Sequence, residues 1–273
     1  MPNYRILASD LDGTLISTKG TVSEENEAAI RALTERGVFF VPCSGRALYE
    51  IPPMIRDNPY VRYIIHSDGA CVYDKQTGER LDASMPKESV ALLLDILSEY
   101  DVSMTVRHMG KSYTAAKWWN DEAGRYHRVP DAYQKFIYRY SESVAEFNSF
   151  CRNLDSVDMV CVFFHDQDEL VSCRERLMKL PQFGVAASHD TNIEVFDSRA
   201  GKGEALLRLA EHLGFGADQT IGVGDSPNDR NMLERAGLSL AMANACEELK
   251  ALADETVCHC DEHVVQYILE HYI

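Results

Sequence analysis

The chain has 273 residues, 45% hydrophobic and 26% charged, enough for one large domain or two ordinary ones. This composition excludes an intrinsically disordered chain, a collagen-like repeat and a disulfide-built miniprotein. Asp and Glu number 43 against 27 Lys and Arg, a net charge of -16, the wrong sign for a general nucleic-acid binder or a protein lying on anionic membranes.

In chain order, residues 4–9 form a buried strand ending at Asp10, and Ser23 caps a helix running to about Arg36. That helix carries Ala28, Ala29, Ala32 and Leu33 at helical spacing, and Gly37 ends it. Residues 38–43 are a second strand tipped by Ser44-Gly45-Arg46; a helix is expected next despite Pro52 and Pro53, then a third strand at 63–66. Near-continuous apolar strands separated by helices predict a parallel sheet covered on both faces. The pattern changes at a hairpin whose turn is Lys75-Gln76-Thr77-Gly78. A periodic helix follows at 87–100 (Val90, Leu93, Leu94, Leu97), then strands at 104–107, 112–115, 159–164, 185–188 and 193–196 and a helix at 167–180. The alternation of strand and helix returns at Lys202. A helix at 203–213, a strand at 220–223, a helix to Arg235, a strand at 238–242 and helices at 247–253 and 263–271 complete the chain. The expected fold is α/β, a Rossmann-like parallel-sheet core (1–83 and 198–273) interrupted by an inserted α+β domain (84–197).

The eight cysteines include no CxxC pair, and Cys258, Cys260 and His263 match no zinc signature. Cys43, Cys71 and Cys161 lie in apolar runs and read as buried thiols. No apolar stretch approaches the roughly 20 residues of a membrane span and nothing resembles a signal peptide, so the expectation is a cytoplasmic protein without membrane or nucleic-acid partners.

The chemistry concentrates at predicted strand tips. In Asp10-Leu11-Asp12-Gly13-Thr14 the two carboxylates stand two residues apart, about 6–7 Å along an extended chain, and can serve one site. One carboxylate can attack phosphorus while the other protonates the leaving oxygen and later activates water. Ser44-Gly45-Arg46 offers a hydroxyl and backbone N–H groups to an anion. Lys202 opens a helix, where the dipole disfavours a cation unless a negative partner is near. Asp225 and Asp229, in Gly224-Asp225-Ser226-Pro227-Asn228-Asp229, suit a hard cation such as Mg²⁺. Each segment alone reads as a turn, a surface lysine or an acidic helix start; their order at successive strand tips sets them apart.

With these motifs, and with 237–245 (Gly-Leu-Ser-Leu-Ala-Met-Ala-Asn-Ala), the chain resembles the haloacid dehalogenase superfamily over essentially its whole length. The branch it resembles is that of the Cof-type sugar phosphatases, with an α/β cap of the C2B type. The resemblance implies a Mg²⁺-dependent phosphomonoester hydrolase acting on sugar phosphates or related small metabolites. It implies Asp10 as nucleophile and Asp12 as general acid, then base. It implies phosphate contacts from Leu11, Thr14, Ser44, Gly45, Arg46, Lys202 and Asn228. It implies metal contacts from Asp10, Asp12 (through its backbone carbonyl), Asp225 and Asp229. The family usually has Asn-Gly-Ala after the third strand, where this chain has Asp68-Gly69-Ala70, and Cys260-Asp261-Glu262-His263-Val264 replaces its usual Asn-Asp-Glu-Asp-Gly. Substrate choice is assigned to the cap, where Trp118, Trp119, Arg125, His127 and Arg128 either face the ester or pack the cap core. His108, His165 and His189 read as structural. A phosphomutase or phosphotransferase using the same intermediate, and a phosphate-ligand sensor without turnover, remain alternatives at this stage.

Overall fold

The computed structural model describes residues 3–118, 131–187 and 190–273. Trp119, Arg125, His127, Arg128 and His189 lie outside the described residues. The chain divides into two compact units, one formed by residues up to 46, 51–82 and 201–273, the other by 47–50 and 83–200.

The first unit is built on a five-stranded parallel sheet in the order Glu255–Thr256, Leu238–Ala241, Thr220–Gly224, Ile6–Ser9, Phe39–Pro42. Ile6–Ser9 and Thr220–Gly224 are buried at every position, which explains apolar runs without alternation. The Lys202–Leu213 helix lays Ala205, Leu206, Leu209 and Ala210 against Ile6, Ala8, Val41, Tyr63 and Ile65, and Gly214 ends it in the left-handed conformation. Ile6–Ser9 lies between strands that follow it and strands that return from the end of the chain, so the crevice at its carboxyl end is the expected ligand site.

Three local expectations are corrected. The third strand, Tyr63–His66, pairs with the parallel sheet through an isolated bridge from Cys43 to Ile65 and runs antiparallel to Cys71–Asp74, which pairs with Arg80–Asp82 across the predicted hairpin. The expected helix after the second strand shrinks to a turn at Leu48–Glu50 and one turn of helix at Pro53–Arg56, because consecutive prolines exclude a longer helix through them. In the Glu24–Glu35 helix, capped by Ser23 as predicted, the buried stripe is Asn26, Ala29, Ile30 and Leu33, and Ala28 faces solvent. Asn26 occupies the stripe because its Oδ1 accepts from Val265 N at 2.9 Å, docking the Val264–His271 helix.

The second unit is an α+β layer pair. Its six-stranded sheet runs Phe183–Ala186, Asn192–Asp197, Met159–Phe164, Val102–His108, Lys111–Ala115, Ser141–Val144, antiparallel except for the last pair. Met159–Phe164 shows why: Val160, Val162 and Phe164 join the main core with Val90, Leu93, Leu94 and Leu97 of the Lys87–Leu97 helix, while Cys161 and Phe163 point to the other face against Ile137. Helices at Asp131–Tyr140 and Phe147–Asn153 also belong to this unit; neither is among the predicted elements, although Tyr133, Phe136, Ile137 and Tyr140 stand at helical spacing. Residues 47–50 group here through Glu50, which is buried with Arg107: Glu50 Oε2 accepts from Ala47 N at 2.7 Å and pairs with Arg107 Nη2 at 3.2 Å, and Ser112 Oγ donates to its Oε1. Trp118 packs edge-on against Phe147 at 5.8 Å and belongs to the core of this unit.

At the tip of Tyr63–His66 three successive residues, Ser67, Asp68 and Gly69, have φ of 51°, 50° and 84°. A side chain on Gly69 would place its Cβ 2.1 Å from Gly201 O, immediately before the Lys202 helix. Gly69→Ala is therefore expected to cost about 3 kcal/mol, combining left-handed strain with a backbone clash. Urea unfolding of the variant measures it; a loss of only a few tenths would contradict the packing described.

Candidate active site

Asp10 follows the central strand, with its N–H on Val223 O at 3.0 Å and its side chain buried. Lys202, the first residue of its helix, is also buried, and its Nζ donates to Asp10 Oδ1 at 2.7 Å and Asp229 Oδ1 at 2.6 Å. Asp229 is held from its other oxygen, Oδ2, which accepts the backbone N–H groups of Asp225 and Ser226 at 3.0 Å each. Asp225 accepts from Thr14 Oγ1 at 2.7 Å and from Ser226 Oγ at 3.1 Å. Thr14 thus spends its hydroxyl on Asp225 here, a contact different from the phosphate contact implied by the resemblance.

Carboxylate oxygens of Asp10, Asp225 and Asp229 lie within 4.8 Å of one another. Burial, then repulsion from Asp229, pushes the Asp10 carboxyl well above the usual range, against the pull of Lys202. Burial likewise pushes Asp225 up, with Asp229 adding to it. Burial alone would lower the Lys202 ammonium; Asp10 and Asp229 outweigh it and hold the lysine well above its usual value. Three carboxylates against one ammonium leave an excess of two negative charges, the complement of a divalent cation. An oxygen-only donor set with raised proton affinities fits a hard metal ion.

Asp12 stands apart from this trio. Its carboxylate is 55% exposed and is gripped by Arg46, with Nε on Oδ2 and Nη2 on Oδ1, both at 2.7 Å. This fork fixes the carboxylate plane while leaving it open to solvent. Ser44 is buried, its Oγ accepting from Arg46 N at 3.2 Å, and Gly45 sits against Asp68, whose Oδ1 would be 3.0 Å from a Cβ there. The Leu11 side chain is fully buried, so this residue can offer only its backbone. Asn228 Nδ2 donates to Asp68 Oδ1 at 3.3 Å.

The first unit therefore gathers Asp10, Asp225, Asp229, Lys202 and Thr14 into one bonded cluster, joins Asp12 to Arg46, and joins Asp68 to Asn228. Sequence reasoning missed Asn244, whose Nδ2 donates to Gly13 O at 2.7 Å and whose Oδ1 accepts from Cys260 N at 2.9 Å, tying the turn after Asp12 to the late loop. His263, whose spacing from Cys258 and Cys260 matches no zinc signature, turns its Nδ1 to Ser23 Oγ at 2.9 Å. His108 Nδ1 lies 2.8 Å from Ser156 O, a structural contact as expected. All eight cysteines are free thiols.

The profile of the haloacid dehalogenase-like hydrolases matches residues 7–269. The chain belongs to this family. This haloacid dehalogenase-like hydrolase is 30% identical to Phosphatase YwpJ of Bacillus subtilis (strain 168), over 98% of the chain and the whole of that protein. It is 27% identical to 5-amino-6-(5-phospho-D-ribitylamino)uracil phosphatase YwtE of the same strain, over 97% of each chain. Among solved structures, a haloacid dehalogenase-like hydrolase from B. subtilis superposes with a TM-score of 0.80 at 27% identity, covering 98% of this chain and all of that one. The α/β core with its α+β insertion is thus the fold of this family, and the chain is a phosphatase of the haloacid dehalogenase-like type. Among the described residues no helix is long and apolar enough to cross a membrane.

The charge excess has a measurable consequence. Asp10 and Asp225 bind protons more tightly folded than unfolded, so their contribution to stability is fully present below the unfolded carboxylate value and is lost as pH rises through their raised values. A divalent cation should offset that loss, by about 2.7 kcal/mol at a hundred times its Kd. Thermal unfolding with Mg²⁺ and with chelator should show a larger gain at about pH 8 than at about pH 5, because protons compete with the ion. A gain independent of pH would contradict the assignment.

Proposed function

We propose that this chain hydrolyses small phosphomonoesters, sugar phosphates and related metabolites among them, with Mg²⁺ and through phosphorylation of Asp10. The observation that carries the reading is Lys202, buried and bonded at once to Asp10 and Asp229 beside Asp225. A lysine so placed holds the nucleophile's Oδ1 and leaves Asp10 Oδ2 directed to other chemistry. The name of the ribitylaminouracil phosphatase relative supports a small phosphorylated metabolite as substrate.

Asp10 attacks phosphorus in line, forming the bond from its carboxylate oxygen to phosphorus as the bond from phosphorus to the ester oxygen breaks. Asp12, having taken a proton from solvent on its exposed carboxylate, gives it to that departing oxygen, releasing the alcohol. It then takes a proton from a water that attacks the aspartyl phosphate and frees Asp10 and inorganic phosphate. Arg46 fixes where Asp12 can deliver that proton and loosens one arm of its fork as the carboxyl group turns to the ester. Lys202, the Ser44 hydroxyl, the Arg46 guanidinium, the backbone of Leu11 and Gly45, and the second amide N–H of Asn228 supply donors to the phosphoryl oxygens. Thr14 keeps Asp225 in place, and Asp229 keeps Lys202 in place. Asp10, Asp225 and the backbone carbonyl of Asp12 would hold Mg²⁺, with Asp229 beside them. When bound, the ion neutralises charge on the transferring group.

The test is phosphate release from an aryl phosphate and a panel of metabolite monophosphates. Native protein should turn over with Mg²⁺ and stop with chelator. Asp10→Asn should lose at least about a thousandfold in kcat while remaining folded by circular dichroism. Turnover by Asp10→Asn at the native rate would reject Asp10 as the nucleophile.

A further inference from the structure

Asp68 carries chemistry that the phosphoryl-transfer roles leave unused. Its side chain is 3% exposed and lies between the Ser44-Gly45-Arg46 loop and the Pro227–Asp229 turn, touching Gly45 on one side and Asn228 on the other. Asn228 Nδ2 donates to Asp68 Oδ1, but Asp68 Oδ2 and Asn228 Oδ1 are both buried without a hydrogen-bond partner. Turning the amide over would set its oxygen against a carboxylate, so the orientation follows from chemistry. Two neighbouring acceptors without a donor are costly to bury, and the positive φ of Asp68 adds strain at the same point. Both missing partners must be hydrogen-bond donors. A phosphoryl oxygen is the wrong kind of group, because a carboxylate and a carbonyl both repel it. The two acceptors are covered, but Asn228 as a residue is only half-buried, so a ligand that reaches them enters past the Asn228 side chain.

We infer that the Asp68–Asn228 pair is a subsite for a hydroxyl or amine carried on the leaving group, so that the site favours polyol and amino-substituted phosphomonoesters over esters lacking a donor. The inference rests on the phosphatase reading and adds a substrate class to it. Asn228 then serves both parts of the substrate: its amide N–H groups link Asp68 to the phosphoryl side, and its carbonyl oxygen joins Asp68 Oδ2 in reading the alcohol side. Asp68 is a specificity residue here; no bond to phosphorus forms or breaks on it.

The experiment compares kcat/KM for a pentitol monophosphate and for phenyl phosphate, which has the same phosphoryl group and no neighbouring donor. Asp68→Asn is the variant of choice, since asparagine tolerates positive φ. The preference of the native enzyme for the pentitol ester should fall about tenfold or more in Asp68→Asn, mainly through KM, the loss of a charged hydrogen bond. Free pentitol should also compete with phenyl phosphate in native protein and compete more weakly in the variant. Equal losses on both esters, an unchanged preference, or no competition by free pentitol would each overturn the inference, the last two leaving a bound water as the donor. A native enzyme that releases no phosphate from either ester would instead overturn the phosphatase reading. In that case a thermal shift with free pentitol, present in native protein and reduced in Asp68→Asn, still decides the subsite.

Discussion

The arrangement of this site depends on one buried ammonium. Lys202 Nζ lies between Asp10 Oδ1 and Asp229 Oδ1, and it has no exposed side-chain surface. A carboxylate pair at that depth is tolerable only with a cation in bonding contact, and a lysine there is tolerable only with the carboxylates. Each of the three comes from a different part of the chain: the end of the first strand, the start of the helix after the insertion, and the turn after Thr220–Gly224. Their mutual need therefore specifies how those three segments converge. Thr14 on Asp225 and Asn244 on Gly13 extend the same bracing outward with hydrogen bonds from uncharged donors.

The same cluster reconciles an acidic chain with an anionic substrate. A net charge of -16 repels phosphate at long range. At the site itself the lysine, the Arg46 guanidinium and a divalent ion held by the acidic trio would reverse the local potential. With such an ion bound, the carboxylates would be the means of concentrating positive charge and not an obstacle to anion binding. Burial, with repulsion from Asp229, holds the proton affinities of Asp10 and Asp225 above the usual carboxylate range.

Much of this was legible in the sequence because the side chains of the candidate site sit at fixed offsets from strand and helix ends. Asp10-Leu11-Asp12-Gly13-Thr14, Lys202 and Asp225 to Asp229 could be placed at strand or helix ends from apolar runs and glycines alone. What the sequence hid were contacts between residues of ordinary type far apart in the chain. Asn244 lies 231 residues from Gly13, and Asn228 lies 160 from Asp68; neither pairing leaves a periodic trace. Glu50 was hidden for a different reason: a charged residue in a predicted helix reads as a solvated position, yet here Arg107 and Ser112 satisfy it in a buried pocket of the second unit. The parallel series was over-extended at Tyr63–His66 because a buried strand looks alike whether its neighbour runs with it or against it. Ala28 was misplaced because alanine gives little contrast between core and solvent, whereas Asn26 entered the buried stripe by a hydrogen bond to Val265 N.

The central claim is that the lysine-held carboxylate of Asp10 is the atom group that takes the phosphoryl. Acid quenching during turnover of an aryl phosphate, whose leaving group departs without needing the Asp12 proton, followed by peptide mapping by mass spectrometry, addresses it directly. The account predicts one acid-stable, base-labile phosphoryl group on the peptide containing Asp10, enriched in an Asp12→Asn variant whose second step is slowed. Phosphate release without any phosphorylated peptide in that variant, or a phosphoryl group on a different residue, would contradict it.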